Sequence, residues 1–410
     1  MIKKNFITIG LIIFILFSLS LILGLYLNED ASGLGTSNDF KSTWPYVLSL
    51  KNNYIIDGSE WTRLLPLHYI FLSLLQENLN DIFLVRLFFV FISLLIPFLF
   101  YLNLKIKFPE IDKGKLLIIS SIIIILPFFR SSSIWPNPHI TSLVFLLSSF
   151  YFFSKWEQLK IKVFDRDLIL HIIFLALAVY TRRYYIFFFL YFLIIYFTNL
   201  NIKNFLLASI FIFILSIPGF ALIFHFPYYL SSTGYSFKFY NSLLIISSIF
   251  CFYMIPFFDY KIIKNLNKKI IYIVLASIIF TIFLSILFNY DPKLGGGFFI
   301  KLSNILFFQN YFFYMTAAIG FFMIYYLVSN NMMNALLISL IFLFFSNDMI
   351  LQKYFEPLLL IIFFLLINSK QFLNSLISKN RIFFILFYFI VYSVSSIINS
   401  KYQISLNYFW

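Results

Sequence analysis

Residues 6–27, FITIGLIIFILFSLSLILGLYL, carry no charge over 22 positions. A helix rises 1.5 Å per residue, so about 20 apolar residues cross the roughly 30 Å hydrocarbon core of a bilayer. Comparable stretches recur through the whole chain, which constrains it more than any motif does. Spans are expected near 6–27, 82–104, 116–134, 138–156, 168–181, 184–198, 204–224, 241–258, 270–288, 305–327, 334–346, 357–369 and 382–400. Thirteen crossings make an all-α polytopic membrane protein, read as one transmembrane domain over residues 1–410. Its 410 residues are 62% hydrophobic and only 11% charged, whereas soluble domains are about 25% charged.

The formal charge of +14 is read through topology. With the N-terminus inside, most of the 30 Lys and Arg fall in short cytoplasmic loops such as KIKFPEIDKGK and DYKIIKNLNKK. That bias explains the charge without nucleic acid. The basic start followed by a long apolar core, with no small-residue cleavage signature, reads as a retained first span. The single Cys251 excludes an internal disulfide and a Cys-based metal site. No GxGxxG, Walker, HExxH or Cys/His metal spacing occurs, and no repeat of fixed period.

TRLLPLHYIFLSLLQ, residues 62–76, is apolar but too short to span, and Pro66 stands near its start. A crossing there would turn every later basic loop outward. It therefore reads as a re-entrant or interfacial helix, which makes residues 28–81 one long extracytoplasmic loop with juxtamembrane helices.

Ionisable residues at membrane edges are costly, and their default reading is functional. By this topology Asp39, Glu60, Arg63, His68, Arg130, Asn137, His139, Arg182, Arg183, Asp348 and Lys353 share the outer face. Blander roles stand beside this one. Asp39 also suits a helix N-cap, and Glu60 a wet loop acid. Arg182 and Arg183 also suit snorkelling anchors, and His139 a polar cap. Tyr184, Tyr185 and Trp135 fit an aromatic belt, and His171 and His225 fit packing. Gly295–Gly297, in NYDPKLGGGFFIKLSN, reads equally as a mobile lid or a plain connector.

Six segments follow one another in a telling order: NDFKSTWPYVLSLKN, TRLLPLHYIFLSLL, VRLFFVFISLLIPFLFYLNLK, LPFFRSSSIWPNPHITSLVFLLSSFYFFSKW, LALAVYTRRYYIFFFLYFL and QKYFEPLLLIIFFLL. Together they resemble the GT-C superfamily of integral membrane glycosyltransferases, which use lipid-phosphate sugar donors. The resemblance puts Asp39 in the place of the acid that opens the juxtamembrane helix. Asn38 stands where a paired acid is often seen, and Pro136-Asn137-Pro138-His139 where an Asp is usual. It implies transfer of a hexosyl or pentosyl group from a polyprenyl-phosphate-linked donor to a glycan, lipid or protein acceptor. The expected setting is a bacterial inner (plasma) membrane, with the site periplasmic or extracellular.

In that scheme Asp39 is the general base. Glu60, Arg63, His68, Arg130, Asn137, His139, Arg182, Arg183, Lys353 and Tyr354 bind substrate. Arg suits the donor phosphate because its planar fork is bidentate. A divalent cation (Mg or Mn) stays open, with Asp39 and His139 as available ligands. Two alternatives also stay open. A polysaccharide polymerase or ligase would carry its largest outer loop late, where this chain has short ones. A flippase or transporter would show matched halves and a midplane site.

Overall fold

The computed structural model describes residues 2–32, 35–53, 65–225, 238–258, 268–292, 295–329, 331–347 and 349–402. Every regular element among them is helical. The chain forms two compact units, Met1–Thr233 with Tyr392–Lys401, and Gly234–Val391 with Tyr402–Trp410.

The first unit holds α1 (Ile2–Tyr26), α2 (Gly35–Asn53), α3 (Leu67–Leu79), α4 (Ile82–Ser93), α5 (Leu95–Lys107), α6 (Lys113–Ile125), α7 (Pro127–Ile134), α8 (Pro138–Glu157), α9 (Arg166–Thr181), α10 (Ile186–Asn199) and α11 (Ile202–His225). The second holds α12 (Phe239–Met254), α13 (Lys268–Leu287), α14 (Gly297–Phe307), α15 (Tyr311–Val328), α16 (Met332–Phe344), α17 (Leu358–Leu365) and α18 (Lys370–Ile377). Helix α19 (Lys379–Tyr402) begins in the second unit, and its residues Tyr392–Lys401 belong to the first.

Among the described residues, seven helical segments are long and apolar enough to cross a membrane: Phe6–Tyr26, Ile82–Lys107, Ile202–His225, Phe239–Phe257, Lys268–Leu287, Tyr311–Val328 and Lys379–Ile398. The pair α6 and α7 makes an eighth if it is one span; it bends by 66° where Pro127 interrupts the backbone ladder. The chain is thus an integral membrane protein whose described residues form only helices and their connections. The other five expected spans form helices that fall short of the requirement. α9, α10, α16 and α17 have 16, 14, 13 and 8 residues, and α8 is long enough but carries Lys155, Glu157 and His139.

Helix ends in the first unit fix which termini share a boundary. Arg86, early in α4, donates through Nη1 to Asn28 Oδ1 (2.8 Å), just past α1, and through Nε to Ile134 O (2.9 Å), at the end of α7. The C-termini of α1 and α7 and the N-terminus of α4 therefore meet. His139, at the start of α8, bonds Arg182, just past α9. Asn28, which follows α1, thus lies beside the first turn of α4 although α2 and α3 stand between them in sequence. α3, at 13 residues, is about 20 Å long and stops on Asn80 in the left-handed region.

Small residues let helices approach closely. A Cβ on Gly114 of α6 would lie 2.2 Å from the Phe6 backbone of α1. In the second unit, a Cβ on Gly320 of α15 would lie 2.0 Å from Ser247 O of α12. Such contacts replace the hydrophobic effect, which is weak between helices already in lipid. Gly295–Gly297 all take positive φ (130°, 86° and 83°). Gly296 N–H donates to Ile350 O (2.8 Å) and Phe298 N–H to Gln352 Oε1 (2.7 Å). These bonds hold the glycine segment against Ile350 and Gln352.

Candidate functional site

The acids of the first loop divide between capping and exposure. Asp30 is buried, and its Oδ2 accepts from Ser37 N–H (2.8 Å), in the first turn of α2. Its Oδ1 accepts from Ser32 N–H (3.0 Å) and Ser32 Oγ (2.5 Å). So the N-cap role open to Asp39 belongs to Asp30. Asp39 is the fifth residue of α2 and exposed. The buried positions Thr36, Ser37, Phe40, Val47 and Leu50 form one stripe facing the protein, with Asn38, Asp39 and Ser42 off it. α2 packs on α3, where the Tyr46 and Tyr69 rings meet edge to face at 5.5 Å.

Tyr69 ties the loop acid to the cationic edge of α9. Its phenol is pushed above its ordinary range, first by burial, then by the charges of Asp39 and Tyr46, while Arg182 pulls it down. Asp39 and Arg182 thus both act on one buried side chain. Arg182 in turn donates through Nη1 to His139 Nδ1. A guanidinium can only donate, so Nδ1 must accept, and a neutral His139 carries its proton on Nε2. His139 is fully buried; Arg182 is half-buried.

His68 completes the floor. It is fully buried, with Nδ1 2.8 Å from Thr141 Oγ1 and its ring against Tyr69 and Phe89. Burial pushes its pKa down to about 3, against a smaller opposing effect of the Pro136 carbonyl. It is a neutral supporting side chain here.

The remaining expected site residues sit elsewhere. Asn137 caps α8, accepting from His139 N–H (3.1 Å). Arg130, expected among the phosphate contacts, is spent on a buried ion pair. Nε and Nη2 donate to the two Glu29 oxygens (2.6 and 2.7 Å), and Nη1 and Nη2 to Ser20 Oγ and O (2.9 and 3.0 Å). That uses four of its five N–H groups. Arg183 is half-buried, with its guanidinium 5.8 Å from the Tyr184 ring. Lys353 and Tyr354 form a 3-10 turn, Gln352–Tyr354, in the second unit. Glu60, Arg63 and Asp348 lie outside the described residues. His171 bonds Ser149 (2.7 Å) within the α8–α9 packing.

A divalent cation does not fit this arrangement. His139 Nδ1 is taken by a guanidinium, whose charge opposes a second cation, and no group of three His, Cys, Asp or Glu gathers among the described residues.

Four residues that matter here escape sequence reasoning: Tyr46, Tyr69, Thr141 and Glu29. Nothing in their local sequence sets them apart. A fifth, Arg86, does carry a signal, a lone cation in the apolar run IFLVRLFFVFIS. Its guanidinium stacks 3.7 Å from the centre of the Trp135 ring, whose Nε1–H donates to Glu29 O (3.0 Å).

No protein-family model, curated protein or solved structure matches the chain.

Proposed function

We propose that this protein is a GT-C-type glycosyltransferase that moves a sugar from a polyprenyl-phosphate donor to an acceptor hydroxyl at the extracytoplasmic face of a bacterial inner membrane. The observation that supports this reading is that the charges of Asp39 and Arg182 both bear on the buried Tyr69 phenol, with Arg182 in turn bonded to His139. An exposed carboxylate is open to a polar acceptor from water. A guanidinium held by His139 supplies positive charge in the planar form that suits a phosphate.

In this scheme Asp39 takes the acceptor's proton as its oxygen attacks the anomeric carbon. The bond from that carbon to the phosphate oxygen breaks, and the lipid phosphate leaves with its charge held by Arg182. Tyr69 and His68 hold α3 beneath the two groups. No enzyme nucleophile is required.

The proposed topology has the N-terminus inside and thirteen crossings, with α8, α9, α10, α16 and α17 completing the set. An odd count agrees with the contacts of Ser396 and Ser400, near the end of α19, with Ala31 and Asp30, just past the end of α1.

Membranes containing the protein, supplied with polyprenyl-phosphate-linked sugars, test the reading. Asp39→Asn should lower transfer by about 10²–10⁴-fold while the protein stays folded. Undiminished transfer by a folded Asp39→Asn variant removes Asp39 as the base, and no transfer by wild type with any such donor removes the function.

A further inference from the structure

The second unit contains a cavity of about 750 Å³ between α13, α15 and the end of α12. Its walls are apolar: Ile270, Val274, Ile278 and Ile282 on α13 face Met315, Ala318, Ile319 and Phe322 on α15. Thr281 turns its hydroxyl back onto Ser277 O (2.8 Å), so that polar group is satisfied within the helix. The walls belong to helices long and apolar enough to cross the bilayer. At that depth water is absent, and an apolar slot left empty forfeits its dispersion contacts.

The slot has two distinguishable ends. Phe288, just past α13, meets Tyr314, early in α15 (5.7 Å), while Phe280, earlier in α13, meets Phe321, later in α15 (5.1 Å). α13 and α15 therefore run antiparallel. At one end lie Tyr314 and Ile282; at the other lie Phe258, Ile270 and Phe322. From Ile270 to Ile282 the groove is about 18 Å long, close to the depth of one leaflet.

The second end carries charge. Lys268 and Lys269 are exposed, directly precede Ile270, and open α13. Cations are unfavourable at a helix N-terminus, where the backbone already presents positive charge; an anion there is favourable. A lysine pair at that point gains by facing a phosphate.

We propose that this cavity seats one acyl chain of an anionic phospholipid, with the lipid's phosphate against Lys268 and Lys269 and its tail running along α13 toward Tyr314. The length of the slot, its apolar walls and the placement of charge at one end fit a single leaflet lipid. The assignment does not depend on the glycosyltransferase reading.

Full-length protein, delipidated in detergent, can be titrated with phosphatidylglycerol, phosphatidylcholine and a polyprenyl phosphate, with bound lipid read by native mass spectrometry. Phosphatidylglycerol should saturate one site with roughly thirtyfold preference over phosphatidylcholine, about fivefold for each lysine. Lys268→Gln with Lys269→Gln should abolish that preference while phosphatidylcholine binding stays. Ala318→Phe should weaken binding of both phospholipids by filling the slot, and the milder Ala318→Val should do so in part while the melting temperature is kept. Equal binding of the two phospholipids by wild type, or unchanged binding by a folded Ala318→Phe variant, overturns the proposal. Stronger binding of the polyprenyl phosphate at the same lysines overturns it in favour of a donor tail.

Discussion

Arg86 Nη1 reaches Asn28 Oδ1 at 2.8 Å, across 58 positions of sequence. That bond joins the residue just past the first span to the first turn of α4. The ends of the segment that carries both loop helices are therefore held together.

The side of the membrane on which those ends lie can be read by cysteine labelling. Native Cys251 is only 1% exposed and gives little background. Ser42→Cys, exposed on α2, should react in intact cells with a membrane-impermeant maleimide. Glu110→Cys, exposed between α5 and α6, should react only after permeabilisation. The reverse pattern would place the candidate site in the cytoplasm.

The two loop aspartates should separate stability from chemistry. Asp30→Ala removes the acceptor for Ser37 N–H and should cost about 1 kcal/mol, seen as a lower melting temperature in detergent. Asp39→Asn, at an exposed position within the helix, should stay within about 0.5 kcal/mol of wild type. Equal losses would mean that Asp39 shares the capping role.

The Glu29–Arg130 pair is buried, so breaking it from one side strands a charge. Arg130→Met alone should cost about 3–5 kcal/mol. Adding Glu29→Gln should recover part of that loss, because two neutral groups then replace one unpaired carboxylate. A single variant with an unchanged melting temperature would show that water reaches the pair.

Close helix crossings should show steric selectivity. Gly320→Ala sets a methyl group 2.0 Å from Ser247 O, and Gly114→Ala sets one 2.2 Å from the Phe6 backbone; each must push two helices apart. Gly35→Ala meets nothing nearer than Ser32 Oγ at 3.8 Å and should be nearly neutral. Melting curves of the three variants order the effects.

His68 gives a pH dependence with a defined sign. Its folded pKa of about 3 lies below the ordinary 6.5, so the unfolded chain binds the proton more tightly. The native state keeps its full stability above about pH 6.5 and loses it as pH falls toward 3. His68→Asn should flatten the dependence of melting temperature on pH between 7 and 4.5. An unchanged slope would assign the acid sensitivity to other groups.

Apolar runs announced the membrane class, and Pro66 with a short apolar run announced that α3 is too short to cross. Those signals are local, and composition alone reveals them. The partners of the polar residues were hidden because each lies on a distant helix. Arg130 and Arg182 look alike in sequence, yet one meets Glu29 and the other His139. Asp30 and Asp39 likewise differ only in how the chain turns before α2. The count of crossings was the least legible property. Hydropathy marks α9 and α16 as apolar but is silent on whether neighbours cover their short ends.

Asp30 has two tasks, since its carboxylate caps α2 while its carbonyl accepts from Ser400 Oγ; beside it, Ala31 O accepts from Ser396 Oγ (2.6 Å). These bonds close a loop of more than 360 residues. During synthesis the first loop leaves the translocation machinery long before its partners have been made. Arg86, Arg130 and Trp135 can hold the loop early, but the bonds to Ser396 and Ser400 must wait for the last helix, so the start of α2 gains its final contacts only when synthesis is nearly over.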